Sequence, residues 1–235
     1  MTRKNSRPVA GAALDLDHLE MHRSWVLERQ RDLEIQDLID VDVVRGDLTA
    51  FVSRARKLLD GHTGRVGIHG PFWGWSIDTY DPDVRDIVKR RLDVSLDALR
   101  GIIGERGEGH MVVHSPTTTW DFNHYDYYPT SRDEQFARVH LCLKDAVKKA
   151  ESMGAVLVIE NCEDKDPRWR VDLARSFDSP AVRVSLDTGH AHYAHHTTGG
   201  PPVDYFVTVA GGMLEHVHLQ DADGYADRHW VLGEG

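Results

Sequence analysis

Short apolar, β-branched runs alternate with longer amphipathic stretches along most of the chain. The runs predict seven strands, at residues 9–16, 33–38, 65–72, 110–114, 155–160, 181–187 and 214–219. In the second run Leu33 and Ile35 alternate with polar residues, a spacing typical of a strand with one apolar face. The pattern therefore predicts one sheet built from many short strands.

Helical periodicity fills the segments between these strands. The stretch at 48–59 has its apolar residues at helical spacing. Asp81 and Pro82 suit the N-cap and the first position of a long helix, and residues 131–134 have the spacing of a capping box whose helix ends near Gly154. Further helices are predicted at 19–31, 172–177 and 203–209, and an irregular, aromatic-rich segment at 117–129.

The alternation of strands and helices predicts the α/β class, with a parallel sheet and right-handed crossovers. The chain contains neither a Gly-x-Gly-x-x-Gly turn nor a Walker sequence, which disfavours nucleotide binding. Closure into a TIM (β/α)8-type barrel is the expected architecture. Only seven strands are counted, so we expect an eighth beyond Gly235 in a longer natural chain. An open sheet, or one completed by another chain, is the alternative.

Length, charge and cysteine content narrow the class of protein further. The 235 residues fit one α/β domain at 8–235, preceded by a polar segment at 1–7 that we expect to be disordered. The net charge of −10 weighs against nucleic acid as a partner. There is no apolar run near 18 residues and no signal-peptide pattern, so we expect a soluble, cytoplasmic protein without membrane contact. Two cysteines are too few for a disulfide framework.

Residue types that bind metals stand at the ends of five successive predicted strands, from the third to the seventh, and in the loop that follows. The set comprises His69, His114, Glu160, Asp187, His190, His218, Asp227 and His229. In a barrel the carboxyl ends of the strands converge on one mouth. One such residue can simply cap a helix, as Asp187 or Asp221 could, but eight in one register predict a site. Mixed imidazole and carboxylate ligands suit a divalent ion, with Mn or Zn favoured over Co, Fe or Mg.

The same residues carry a resemblance to a known superfamily. They lie in the motifs HGPF at 69–72, VHSP at 113–116, IEN at 159–161, LDTGH at 186–190, VHLQD at 217–221 and DRH at 227–229 running to GEG at 233–235. In this order they resemble the xylose-isomerase-like barrel superfamily, which includes sugar isomerases and epimerases and the endonuclease IV family. The resemblance covers nearly the whole chain from the third strand onward.

Two ligand sets follow from the resemblance. The isomerase and epimerase branch implies one metal held by Glu160, Asp187 and His218, with a fourth ligand after the eighth strand. The endonuclease IV branch implies three zinc ions, with further ligands at His69, His114, His190, Asp227 and His229. Eight of the nine ligand positions of that branch have the right residue type. The third possibility is a catalytically silent metal-binding barrel.

Aromatic residues and charge favour the isomerase branch. Trp73, Trp75, Trp120 and Tyr125 follow the third and fourth strands and are predicted to contact substrate. Aromatic faces pack against the apolar faces of sugar rings, although they also stack on bases, or they can simply pack against one another. An enzyme that binds the phosphate backbone of DNA needs lysines and arginines around its site. The net charge of −10 does not favour such a surface. We therefore expect a small carbohydrate as substrate rather than nucleic acid.

The resemblance implies an isomerase or epimerase that removes a proton next to a carbonyl through a metal-stabilised enediolate. We expect Glu160 to be both ligand and base, His190 to orient substrate oxygens, and Arg228 or His229 to steady negative charge. The absence of a basic phosphate-binding loop favours an unphosphorylated polyol or ketose. The identity of the sugar and the oligomeric state are not specified by the sequence.

Overall fold

A computed structural model describes residues 9–106, 108–127 and 131–235. Within these ranges seven parallel strands form one sheet in sequential order, each strand pairing with the next along the chain. The strands are β1 Ala12–Leu14, β2 Leu33–Ile35, β3 Val66–His69, β4 Gly109–His114, β5 Ala155–Glu160, β6 Val182–Asp187 and β7 Leu214–His218. The sheet curls into a partial barrel, so the prediction of a TIM barrel that lacks its eighth strand is confirmed.

Helices connect successive strands, as right-handed parallel crossovers require. They are α1 Leu16–Glu28, α2 Val41–Arg45, α3 Leu48–Leu58, α4 Pro82–Ile103, α5 Thr119–Asn123, α6 Arg132–Met153, α7 Pro167–Ser176, α8 Thr188–Thr198 and α9 Val203–Ala210. The two longest, α4 and α6, lie side by side outside the sheet. No helix of the described residues is long and apolar enough to cross a membrane.

The predicted helix boundaries are confirmed where capping residues mark them. Asp81 accepts hydrogen bonds from the N–H groups of residues 83 and 84, and Pro82 occupies the first position of α4. Ser131 caps α6 by accepting from the Glu134 N–H, and Gly154 ends that helix in the left-handed conformation. Local chemistry therefore fixes both ends of these crossovers.

Three helices were not predicted from the sequence: α2, α5 and α8. The α8 helix has few apolar positions at helical spacing, yet Asp187 caps it by accepting from the His190 N–H at 2.8 Å. Thr118 opens the short α5 helix inside the segment expected to be irregular, through a capping box with Asp121. The predicted tail at 1–7, and Tyr128 and Pro129 of the aromatic segment, lie outside the described residues.

The core lies between the sheet and its surrounding helices and is mainly apolar, with Arg170 of α7 also fully buried. The inner face of the sheet is different, because several side chains that point into the barrel are polar and buried. Glu34 is 2% exposed, and His110 and Ser185 are 0% exposed. Barrel interiors are normally filled by branched aliphatic residues. Burial of ionisable groups costs free energy unless they are paired, so this interior indicates a functional site.

Candidate metal centre

The carboxylate of Glu160, at the end of β5, stands among three imidazoles from other strands. Its Oε1 lies 2.5 Å from Nδ1 of His218 on β7. Its Oε2 lies 3.6 Å from Nε2 of His69 on β3 and 3.5 Å from Nε2 of His114 on β4. Glu160 is 1% exposed, and among the described residues Oε2 has no hydrogen-bond partner. A buried carboxylate oxygen facing two ring nitrogens without a hydrogen bond is the geometry that a cation between them would satisfy.

Asn161 couples the end of β5 to the end of β6. Its side-chain amide donates to the carbonyl of Asp187 at 3.0 Å and accepts from the N–H of Asp187 at 2.9 Å. Its own carbonyl accepts from Nδ1–H of His190 at 2.8 Å. The Asp187 carboxylate has two roles. It caps α8, and it faces the barrel mouth, where its Oδ2 lies 3.9 Å from Nδ1 of His218.

An outer group continues the site towards solvent. Asp227 lies 3.2 Å from Nε2 of His190 and 3.0 Å from Nε2 of His229. Gln220 donates to both Asp187, at 3.0 Å, and Asp227, at 3.1 Å. The amide of Gln220 thus holds two carboxylates that approach from different strands and loops.

Burial and neighbouring charges shift the pKa values of the ionisable groups in the site. Burial raises the pKa of Glu160, but the neighbouring imidazoles of His218 and His69 outweigh that effect and hold the pKa well below its usual range. Burial lowers the pKa of His218, yet Glu160 and Glu34 raise it to about 11. In the same way Asp227 and Asp187 raise the pKa of His190 to about 9 against its burial. Burial dominates at His114 and lowers its pKa to about 4.

Three overlapping groups at the mouth could each hold a metal ion, since the ligand atoms of each lie within 4.8 Å of one another. They are His69 with His114 and Glu160, then Glu160 with Asp187 and His190, then His190 with Asp227 and His229. The three groups contain seven of the eight residues predicted from the sequence as ligands. The eighth, His218, contacts Glu160, so all eight lie close together. Nitrogen and carboxylate donors in this proportion fit Zn or Mn.

Comparison with known proteins identifies the family. The model of the xylose isomerase-like TIM barrel family matches residues 13–235. The chain belongs to this family. A curated relative, the uncharacterized protein MJ1311 of Methanocaldococcus jannaschii, is 26% identical over 189 residues, which are 76% of this chain and 59% of that protein.

Several solved structures share the fold of this chain. The TTHB071 protein from Thermus thermophilus, soaked with ZnCl2, has a TM-score of 0.74 at 24% identity, and the match covers 97% of this chain and 84% of that one. A D-tagatose 3-epimerase-like protein has a TM-score of 0.65 at 23% identity, covering 87% and 72%. The 3-keto-D-glucoside 4-epimerase YcjR from E. coli has a TM-score of 0.64 at 15% identity, covering 91% and 80%.

The residues predicted to contact substrate lie in two kinds of environment. Trp73, Trp120 and Tyr125 are exposed, whereas Trp75 packs partly buried against the core. Phe72 stacks on His114, with ring centroids 4.1 Å apart. Trp120 also stacks on His124, with ring centroids 3.8 Å apart. The role of these aromatic residues in substrate binding stays a prediction.

Arg228, predicted to steady negative charge, contacts Asp223 and Trp230. Its guanidinium donates to Asp223 at 2.9 Å and 3.1 Å and lies over the Trp230 ring. Its catalytic role stays a prediction. Asp221 does not cap a helix: its carboxylate accepts from the N–H groups of residues 222, 233 and 235, because the chain turns back on itself there.

Sequence reasoning missed an inner layer of the site. Glu34 on β2 lies 2.9 Å from Nε2 of His216 and 3.0 Å from Nε2 of His218, and His110 is close by at 3.5 Å. Burial raises the pKa of Glu34, but the three neighbouring histidines outweigh that effect and keep the pKa well below its usual range. The signal that could have found this layer is strand periodicity, because residues two or four positions before a ligand share its face.

Proposed function

We propose that this chain is a divalent-metal-dependent sugar isomerase or epimerase. The observation that carries the proposal is the Glu160 carboxylate surrounded by His69, His114 and His218, with an oxygen left without a hydrogen bond among the described residues. Membership of the xylose isomerase-like family, and the epimerases that share its fold, support the same activity.

Glu160, Asp187 and His218 would hold the ion that the reaction needs. The chemistry that such an ion would supply is Lewis acidity towards the carbonyl and hydroxyl oxygens of a sugar. Mn and Zn fit this donor set best. Asn161 keeps two of the ligands in register, because it bridges the ends of β5 and β6.

The surrounding residues would bind substrate and move the proton. The Nδ1–H of His190 is held by the Asn161 carbonyl, so its Nε2 faces the mouth and can orient a substrate oxygen. Glu160 would accept the proton as well as hold the ion. The exposed rings of Trp73, Trp120 and Tyr125 would cover an apolar sugar face and keep water from the reacting carbon.

Exchange of substrate hydrogen for deuterium tests this activity. A panel of ketoses and polyol-derived ketones is incubated with the Mn- or Zn-loaded protein in deuterated water, and incorporation next to the carbonyl is followed by proton NMR. We expect incorporation in at least one sugar, loss of it in Glu160→Gln, and retention in Glu215→Gln, whose carboxylate pairs with Arg65 at 3.7 Å. Equal incorporation in Glu160→Gln would refute the assignment.

One observation favours a second function, an endonuclease IV-type zinc phosphodiesterase. The group of His190, Asp227 and His229 exceeds what a single-metal isomerase needs, and a three-zinc cluster would use it. The net charge of −10 opposes a grip on a DNA backbone. Three bound zinc ions, together with cleavage of an oligonucleotide containing an abasic site, would support the nuclease over the isomerase. Metal binding without either activity would indicate a silent barrel.

A further inference from the structure

His69, His190 and His218 each have one ring nitrogen that faces away from the proposed metal ligands. The three residues differ in the group that this nitrogen contacts. Nδ1–H of His69 donates to the carbonyl of Gly70 at 2.8 Å, and Nδ1–H of His190 donates to the carbonyl of Asn161 at 2.8 Å. His218 instead meets a charged side chain, because its Nε2 lies 3.0 Å from Oε2 of Glu34. A histidine that binds a metal normally has its other nitrogen fixed by a carboxylate or a carbonyl.

The carboxylate of Glu34 is itself held in orientation. Its Oε1 accepts a hydrogen bond of 2.6 Å from the side-chain amide of Gln36. This leaves Oε2 to face His216, His218 and His110, at 2.9 Å, 3.0 Å and 3.5 Å. Glu34 is 2% exposed, so water does not compete for these contacts.

The three histidines around Glu34 contact it in different ways. Nε2 of His218 is hydrogen-bonded to Glu34, whereas Nε2 of His216, 2.9 Å from the same oxygen, has no hydrogen-bond partner among the described residues. One guanidinium nitrogen of Arg65 lies 3.4 Å from Nδ1 of His216, and a guanidinium only donates. The ligand atoms of Glu34, His216 and His218 lie within 4.8 Å of one another, so this inner cluster is a fourth group that could hold a metal ion. Of the three histidines, His218 is the one that Glu34 holds by a hydrogen bond.

We propose that Glu34 is a positioning residue that keeps the proton of His218 on Nε2 and thereby presents the Nδ1 lone pair to the metal site. The Nδ1 atom lies 2.5 Å from Glu160 and 3.9 Å from Asp187, the two carboxylates proposed as ligands. The Nε2 atom points the other way, towards Glu34. This inference rests on the proposed metal site, although the hydrogen bond itself can be tested without metal.

Two variants and a control separate positioning from stability. Glu34→Leu removes the acceptor at similar size, and Glu34→Gln keeps a neutral acceptor. Asp37→Asn removes a carboxylate three positions further along the chain, where it accepts from the Leu16 N–H. Affinity for Zn is measured by calorimetry, and the ring of His218 is observed by nitrogen-15 NMR with and without Zn.

We expect Glu34→Leu to weaken Zn binding by about 10- to 100-fold, the range typical of outer-shell partners, with Glu34→Gln between Glu34→Leu and wild type. Asp37→Asn should bind Zn as wild type does. Zn-loaded wild type should show His218 protonated on Nε2 and bound through Nδ1. The slowly exchanging Nε2 proton should be lost in Glu34→Leu, and if that variant does not fold, the comparison rests on Glu34→Gln.

The outcomes distinguish failure of this inference from failure of the proposed function. A wild-type His218 without a slowly exchanging Nε2 proton in the metal-free protein overturns the inference, whatever the activity. Unchanged Zn affinity in both Glu34 variants also overturns it. Absence of Zn binding in wild type, with the Nε2 signal present, counts against the proposed function and leaves the hydrogen bond supported.

Discussion

Nδ1 of His218 and Oε1 of Glu160 lie 2.5 Å apart, although β6 separates their strands in the sheet. Side chains from strands that are not neighbours meet only where a sheet curls enough to bring its inner face together. The contact therefore depends on barrel curvature as much as on either residue. It follows that residues that fix the relative positions of β5, β6 and β7 should affect metal binding as well as stability.

Asn161 is the first of these residues. Replacing it with alanine removes two hydrogen bonds to the backbone of Asp187 and leaves a buried N–H and a buried carbonyl without their partners. We expect Asn161→Ala to lower the free energy of unfolding by about 1–3 kcal/mol, measured by urea denaturation. Zn affinity should fall as well, because Asp187 and Glu160 lose their common register. Asn123→Ala, at an exposed position, should change neither quantity.

Gly67 is required by the inner layer. It lies on β3 opposite His110 of β4, and a Cβ atom at this position would overlap the His110 ring. We expect Gly67→Ala to destabilise the protein by about 1–3 kcal/mol, the range for overpacking of a tight interior. Gly212→Ala is the matched control, since nothing lies within 4 Å of its added Cβ. Equal unfolding midpoints for the two variants would show that the interior at His110 is loosely packed.

The stability of the metal-free protein should depend on pH in both directions. Burial lowers the pKa values of His110 and His114 from 6.5 to about 4. In this pH range these histidines are protonated in the unfolded chain but stay neutral in the folded protein. The free energy of unfolding therefore falls as the pH drops from 6.5 to about 4. Carboxylates raise the pKa values of His190 to about 9 and of His218 to about 11 despite burial. That stabilisation is complete below pH 6.5 and is lost as the pH rises through those values.

Thermal unfolding of the metal-stripped protein between about pH 4 and about pH 10 checks this expectation. The melting temperature should be highest close to pH 6.5 and decline on both sides. His114→Gln should flatten the acidic limb and leave the alkaline limb in place. A melting temperature that rises continuously up to the alkaline end would mean that His190 and His218 are not stabilised as cations by their carboxylates.

Much of the fold and of the site could be predicted because the relevant signals are local. Strands of the β3 to β7 region end in a ligand-type residue, so the position of Glu160 or Asp187 at the barrel mouth follows from strand boundaries and parallel topology alone. Helices with a capping residue, such as Asp81, were placed for the same reason. Each of these inferences needs only a short stretch of chain.

The inner layer could not be predicted because it depends on contacts between distant strands. The alternation of Leu33 and Ile35 with Glu34 is typical of a strand with one solvent-exposed face. In a barrel both faces of a strand are covered, and Glu34 points inward and is buried. Its partner His216 lies 182 positions away along the chain, as the numbering gives (216 − 34). The α8 helix was missed because its start depends on the Asp187 cap, which the sequence equally allows to be a ligand.

Metal titration of the stripped protein by calorimetry is the most direct test of the central claim, that Glu160 and its surrounding histidines form a divalent-metal site. We expect saturable binding of Zn or Mn by wild type and by Glu215→Gln. In Glu160→Gln the affinity should fall by more than the roughly 10- to 100-fold typical of an outer-shell change, because a ligand itself is lost. Wild-type affinity in Glu160→Gln, or no binding by the wild-type protein, would contradict the account.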